Sequence, residues 1–173
     1  MAESPPYDAT CAVYVYDFPA DVLLQSLKFR GELALAHLFG AELAARLAGS
    51  AAADVDLALP VPLHRARLTE RGYNHALEIA RLACAGLNVR LEPAACERLR
   101  DTPPQSGLEL AARRRNLRGA FACTAPVRGL RVAVVDDVMT SGATLAELAA
   151  TLKAAGAVRV VNWVVARTPE PSH

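Results

Sequence analysis

The stretch Val132–Thr144, VAVVDDVMTSGAT, constrains the fold more than any other part of the chain. Four apolar residues in a row, three of them the β-branched Val132, Val134 and Val135, fit a strand buried on both faces. Such strands belong to parallel sheets sandwiched between helices. Two carboxylates, Asp136 and Asp137, follow where the apolar run stops. Thr140-Ser141-Gly142-Ala143-Thr144 then supplies small residues at the start of a predicted helix. Ligands of open α/β sheets bind beyond the carboxyl ends of the strands. Small side chains let backbone N–H groups approach a phosphate, and a helix N-terminus adds partial positive charge.

The rest of the chain alternates in the same way. Cys11–Tyr16 reads as a short strand, and Pro19 and Asp21 open a helix with Leu23, Leu24 and Leu27 on one side. Lys28-Phe29-Arg30-Gly31 interrupts it. A second helix is predicted from Glu32 to Leu47 with a stripe of Leu35, Leu38, Leu43 and Leu47. Asp54–Leu63 reads as a buried strand that stops at Pro60 and Pro62, because proline offers no ladder donor. A basic loop to Gly72, a helix over Asn74–Ala85 and two extended pieces around Pro93 follow. Leu108–Leu117 is a short basic helix after the breaker TPPQSG. Arg131–Val135 is the central strand, Leu145–Ala155 a helix ended by Gly156, and Val158–Val165 the last strand.

The expectation is therefore one three-layer α/β domain over residues 11–167 around a mainly parallel twisted sheet. Residues 1–10 form a flexible N-terminus and residues 168–173 a flexible tail. At 173 residues the chain has the size of a single domain. A formal charge of +1 gives no global pull toward DNA or an anionic membrane. Positive charge is local: Arg65, Arg67 and Arg71 against Glu70, and six arginines between Arg98 and Arg118 against Asp101 and Glu109. The four cysteines lie far apart without CxxC spacing, which fits a reducing cytosol and no metal cluster. No apolar run reaches the ~18–20 residues of a membrane helix, and the N-terminus has no signal-peptide core, so a soluble cytoplasmic protein is expected.

An acidic pair beside an anion loop suits a ligand with both vicinal hydroxyls and a phosphate. Asp136 and Asp137 would accept from ribose hydroxyls, while Thr140, Ser141, Gly142, Ala143 and Thr144 hold the 5′-phosphate. The alternative is a strand leading into an N-capped helix, but a cap needs one acid, not two. A P-loop is excluded because no GxxxxGK[ST] is present.

This segment resembles the signature of type I phosphoribosyltransferases. Leu27–Gly31, Pro60–Arg65 with Arg67, Arg71, Gly72, Tyr73 and Asn74, and Arg100–Phe121 with Thr102, Gln105, Leu108, Asn116 and Gly119 resemble further signatures, in order, of the ComF family of competence-associated phosphoribosyltransferase-like proteins. The resemblance runs from about residue 10 to 167. It implies a type I phosphoribosyltransferase fold and binding of phosphoribosyl pyrophosphate or a nucleotide. Mg²⁺ would be held by the ligand and water rather than by direct protein ligands. It implies a pyrophosphate loop at Val61, Pro62, Leu63, His64 and Arg65, with Lys28 beside it. It also implies a mobile flap from Thr102 to Asn116, including Gln105, Arg114, Arg115 and Asn116. Arg71 and Asn74 are ordered for a ligand that is not readable. Catalysis would displace pyrophosphate from carbon 1 of the ribose by a nitrogen nucleophile, through Asp136, Asp137 and Arg115; the acceptor is not readable.

The same resemblance implies an alternative role as a non-catalytic accessory module in DNA uptake, contacting single-stranded DNA or a helicase. A homodimer through an exposed helix face is left open. Three departures stand out. The four-cysteine zinc module that many relatives carry before the first strand is missing from this sequence, so zinc is not carried over. His75 stands where the family usually has Gln, and a lone helical histidine is more often structural than catalytic. Ser141 replaces a common Thr.

Overall fold

The computed structural model describes residues 4–101 and 115–169. Its centre is a five-stranded sheet in the order β1-β7-β6-β2-β3, and every neighbouring pair is parallel. The strands are β1 (Ala9–Val15), β2 (Leu57–Pro60), β3 (Arg90–Leu91), β6 (Arg131–Met139) and β7 (Arg159–Arg167). A two-stranded antiparallel ribbon joins β4 (Cys96–Arg98) to β5 (Phe121–Cys123). On one face lie α1 (Ala20–Arg30), α2 (Leu33–Leu47) and α4 (His75–Leu87), which enclose Ala58, Ala133, Val135, Val161 and Trp163. On the other lie α5 (Ala143–Ala154) and the ribbon, which cover Leu57, Leu59, Val132, Val134 and Val160. The result is the three-layer α/β architecture with a parallel sheet covered on both faces that the apolar strands predict.

Small residues let α2 and α4 approach closely. A Cβ on Gly40 would come within 2.5 Å of Leu82 Cβ and 2.7 Å of Ile79 O. This approach turns Ala36, Phe39, Leu43 and Leu47 inward and leaves Leu38 exposed, so the buried stripe is not the all-leucine one expected from the spacing. At the amino end of the sheet Arg131 grips Asp56 through Nη2–Oδ1 at 2.8 Å and Nε–Oδ2 at 3.2 Å, and also contacts Asp54. The guanidinium holds the Asp56 carboxyl down to about 2.

Several boundaries differ from the sequence expectation. β1 takes in Ala9 and Thr10, and Asp8 N–H already donates to Val160 O at 2.8 Å, so the supposedly loose N-terminus is tied to the sheet from Asp8 onward. At the other end Thr168 Oγ1 donates to Thr140 O at 3.1 Å. The basic stretch expected as a loop forms α3 (Arg65–Arg71), capped by His64 and ended by Gly72 at φ 79°. The breaker TPPQSG and most of the Leu108–Leu117 helix lie outside the described residues. No helix among the described residues is long and apolar enough to cross a membrane.

Candidate functional site

The decisive feature is that β6 outruns its neighbour β2. Their pairing stops at Pro60 opposite Val135, followed by one more bond from Val61 N–H to Val135 O at 2.9 Å. On its other side β6 continues beside β7 as far as Met139 opposite Arg167. The acidic pair therefore does not follow the strand, as its polarity suggests, but sits within its last turn of pairing. Asp136 and Asp137 lie just past the end of β2, in the step beside the Val61–Leu63 loop. Such crevices at strand ends are where open parallel sheets bind ligands.

Adjacent residues of a strand point to opposite faces, and the two acids have different surroundings. Asp137 is 3 % exposed. Its Oδ2 lies 2.8 Å from Lys28 Nζ, and its Oδ1 lies 3.4 Å from His75 Nε2. These are ionic contacts with imperfect hydrogen-bond alignment, so Oδ2 has no aligned donor. His75 and Lys28 outweigh desolvation and hold the Asp137 carboxyl far below the usual carboxylate range. Asp136 is half-buried, and its Oδ1 accepts the Asp137 N–H at 2.9 Å. Burial, and then the charge of Asp137, push its carboxyl well above the usual range despite the pull of Lys28. The pair is thus divided into an inner acid held ionised by two basic side chains and an outer acid for which Lys28 and the Asp137 N–H do not offset burial and the neighbouring charge.

Lys28 is drawn in by this acid rather than lying free at the surface. Desolvation opposes its charge, but Asp137 and Asp136 together raise its pKa. His75, judged structural from sequence, is the residue whose importance was missed. It is 4 % exposed and lies between Asp137 and Arg71, whose Nη1 is 3.2 Å from His75 Nδ1. Arginine can only donate, so Nδ1 accepts and the ring proton sits on Nε2, facing Asp137. The signal available in the sequence was the exchange of the family's Gln for His.

Arg71 and Asn74 need no ligand to explain their order. Arg71 also lies over the Phe29 ring at 5.7 Å. Asn74 Oδ1 caps α4 by accepting from Ala76 N–H at 3.0 Å, and its Nδ2 donates to Val61 O at 3.0 Å. Tyr73 OH donates to Leu27 O. The α3–α4 turn thereby holds the α1 terminus, the β2 end and the inner acid together.

In the second half of the motif, Thr140 and Ser141 are exposed, Gly142 and Ala143 are buried, and Thr144 is half-buried. Gly142 caps α5 at φ 71°, and a Cβ there would meet Met139 Cε at 2.7 Å. Within the loop Ser141 Oγ lies 3.5 Å from Ala143 N. In the Val61–Arg65 loop, Val61 and Pro62 are buried, Leu63 and His64 are half-buried, and Arg65 is exposed. His64 is occupied in capping α3, with Nδ1 accepting from Ala66 N–H at 3.3 Å. Arg115 and Arg118 line a hollow of about 210 Å³ along the outer side of α5, with Ala143, Glu147 and Ala150. Asn116 is exposed. Gln105 and Arg114 lie outside the described residues.

His75, Asp136 and Asp137 offer donor atoms within 4.8 Å of one another. With Lys28 and His75 already turned to Asp137, the carboxylate left for a hydroxyl or a hydrated cation is that of Asp136.

A parallel sheet covered on both faces, with an acidic pair at a strand-end step and a small-residue loop that opens a helix, defines a three-layer α/β protein with its candidate site at the carboxyl edge of the sheet. The relatives carry that class to a family. The chain is 33 % identical over 172 residues to the DNA utilization protein YhgH of Salmonella typhi, covering 97 % of this chain and 76 % of that one. YhgH of Escherichia coli K12 matches to the same extent. Competence protein F of Haemophilus influenzae is 30 % identical over 181 residues, covering 96 % and 76 %. The protein belongs to the ComF family. No protein-family model matches the chain. Among solved structures, the allosteric regulatory enzyme of purine biosynthesis aligns with a TM-score of 0.49 and 19 % identity, over 75 % of this chain and 25 % of that one.

Proposed function

We propose that the step beside Asp136 binds phosphoribosyl pyrophosphate, or a nucleotide, together with Mg²⁺, and that the protein transfers the phosphoribosyl group to a nitrogen nucleophile. The observation that carries this reading is Asp136. A half-buried carboxylate pushed above its normal range, at the mouth of a loop built from small residues, calls for hydroxyl donors or a cation. Ribose hydroxyls supply the first, and a hydrated Mg²⁺ arriving with the diphosphate supplies the second. The exposed Thr140–Ser141 amides and hydroxyls and the N-terminus of α5 suit the 5′-phosphate.

The residues divide the work accordingly. Asp136 accepts from the outer ribose hydroxyl. A second hydroxyl reaching Asp137 displaces Lys28 Nζ, and the released ammonium turns to the diphosphate. The backbone at Val61–His64 and the exposed Arg65 receive the leaving group. When bound, Mg²⁺ neutralises charge that develops on the departing diphosphate. His75 keeps Asp137 ionised and aimed while Lys28 moves.

Isothermal titration with phosphoribosyl pyrophosphate and Mg²⁺ tests the reading. Saturable heat is expected, weakened at least tenfold by Asp136→Asn. Absence of binding at millimolar ligand, or binding indifferent to that substitution, would overturn it. Pyrophosphate release on incubation with individual bases then tests transfer.

A second reading draws on the names of the relatives, which point to DNA utilisation and competence. The exposed Arg65, Arg115 and Arg118 give it a physical basis. It predicts salt-dependent binding of single-stranded oligonucleotide, lost when Arg113, Arg114 and Arg115 are changed to alanine.

A further inference from the structure

Cys96 and Cys123 are remote in sequence, yet the ribbon sets them face to face. β4 and β5 pair with Cys96 opposite Cys123 and Arg98 opposite Phe121. Leu99 N–H donates to Ala120 O at 2.8 Å and Thr124 N–H to Ala95 O at 2.9 Å, so the pairs 99/120 and 95/124 are hydrogen-bonded ones. Bonded and non-bonded pairs alternate along an antiparallel ladder. The pairs 96/123 and 98/121 are therefore non-bonded. At such pairs the Cα atoms come within about 4.5 Å and the side chains are closest. That lies inside the roughly 4.4–6.8 Å window a disulfide requires.

The neighbouring non-bonded pair demonstrates the contact, because the Arg98 guanidinium lies 5.7 Å over the Phe121 ring. Cys96 is buried in the core beneath α5, and the half-buried Cys123 packs against the same core, with Sγ donating to Ala125 O at 3.4 Å. Burial and the facing Cys123 raise the pKa of the Cys96 thiol. Cys11 and Cys84 belong to the core on the opposite face of the sheet. All four are free thiols in this structure.

We infer that Cys96 and Cys123 form a reversible disulfide site that responds to small-molecule disulfides of the glutathione kind. Cys123, the more accessible thiol, loses its proton and attacks one sulfur of the small disulfide. A mixed disulfide forms and one small thiolate leaves. Cys96 then gives up its proton and its sulfur attacks Cys123 Sγ, expelling the second small thiolate. The two protons go to the two thiolates, so two protein thiols are oxidised and one small disulfide is reduced. Intracellular disulfides of this transient type serve redox sensing rather than structure. The bond would tie together the two strands that bracket residues 99–120. It does not depend on the ligand proposed above.

Incubation of the full chain with excess oxidised glutathione, followed by thiol counting in denaturant and peptide mapping, tests the inference. Free thiols are expected to fall from four to two, with a Cys96–Cys123 linked peptide that dithiothreitol cleaves. The double variant Cys11→Ala/Cys84→Ala should keep that link, and Cys123→Ala should abolish it. Oxidation should raise the thermal midpoint by on the order of 5 °C. A glutathione adduct that persists on Cys123 beside a reduced Cys96 would overturn the inference. So would links through Cys11 or Cys84, or links between molecules.

Discussion

His75 and Asp137 meet in the interior with Nε2 3.4 Å from Oδ1, and Arg71 closes the chain from behind at 3.2 Å from Nδ1. Arg71 thus selects the ring tautomer, and the tautomer presents a proton to the acid. A glutamine amide can also present N–H to that carboxylate. We expect His75→Gln to cost less than about 1 kcal/mol and His75→Leu about 2–3 kcal/mol, because leucine strips a buried carboxylate of a partner. Urea titration measures both, and ¹⁵N imidazole shifts of the native protein should report an unprotonated Nδ1.

The two acids should respond oppositely to neutralisation. Asp136 has a raised pKa, so its ionised form weakens the fold at neutral pH, and Asp136→Asn should raise the melting temperature. Asp137 has a lowered pKa and contributes stability above the unfolded value of about 3.9 that is lost as the pH falls below it. Asp137→Asn should lower stability by about 2–3 kcal/mol at pH 7, with the deficit shrinking toward acid pH. Melting curves of both variants between pH 3 and 8 check the signs; equal shifts in one direction would contradict the division of the pair.

Asn74 combines two duties that substitutions can separate. Asn74→Ala should lose about 1–2 kcal/mol from the missing cap. Asn74→Asp keeps the acceptor for Ala76 N–H but brings a carboxylate up to Val61 O, 3.0 Å away, where Nδ2 now donates. It should preserve the helical signal while weakening binding of phosphoribosyl pyrophosphate in calorimetry.

Gly40→Ala should destabilise by about 1–3 kcal/mol, because the added methyl meets Leu82 Cβ and the Ile79 carbonyl at well under contact distance. The matching change at Gly49 meets nothing within 4 Å and costs only the strain of φ 73°. Denaturant midpoints of the two variants compare packing with backbone strain directly.

The VAVVDD run and the small-residue loop were readable because strand, acid and helix start are local signals. Asn74 was readable as an ordered residue from the tight turn that Gly72 suggests, but its capping of α4 was not. The overshoot of β6 was not, because Asp136–Met139 is held in the sheet by β7, a partner remote in sequence. α3 escaped notice because RARLTER has no apolar stripe and buries none of its residues. The unequal fates of Asp136 and Asp137 depend on Lys28 and His75, which approach from two helices far along the chain. The meeting of Cys96 and Cys123 likewise exists only once β4 and β5 are paired.

Pro60 and Pro62 end β2 early and leave Asp136 without a ladder partner on that side. The point at which one strand stops, rather than any property of the acid itself, thus leaves the carboxyl end of β6 uncovered on one side.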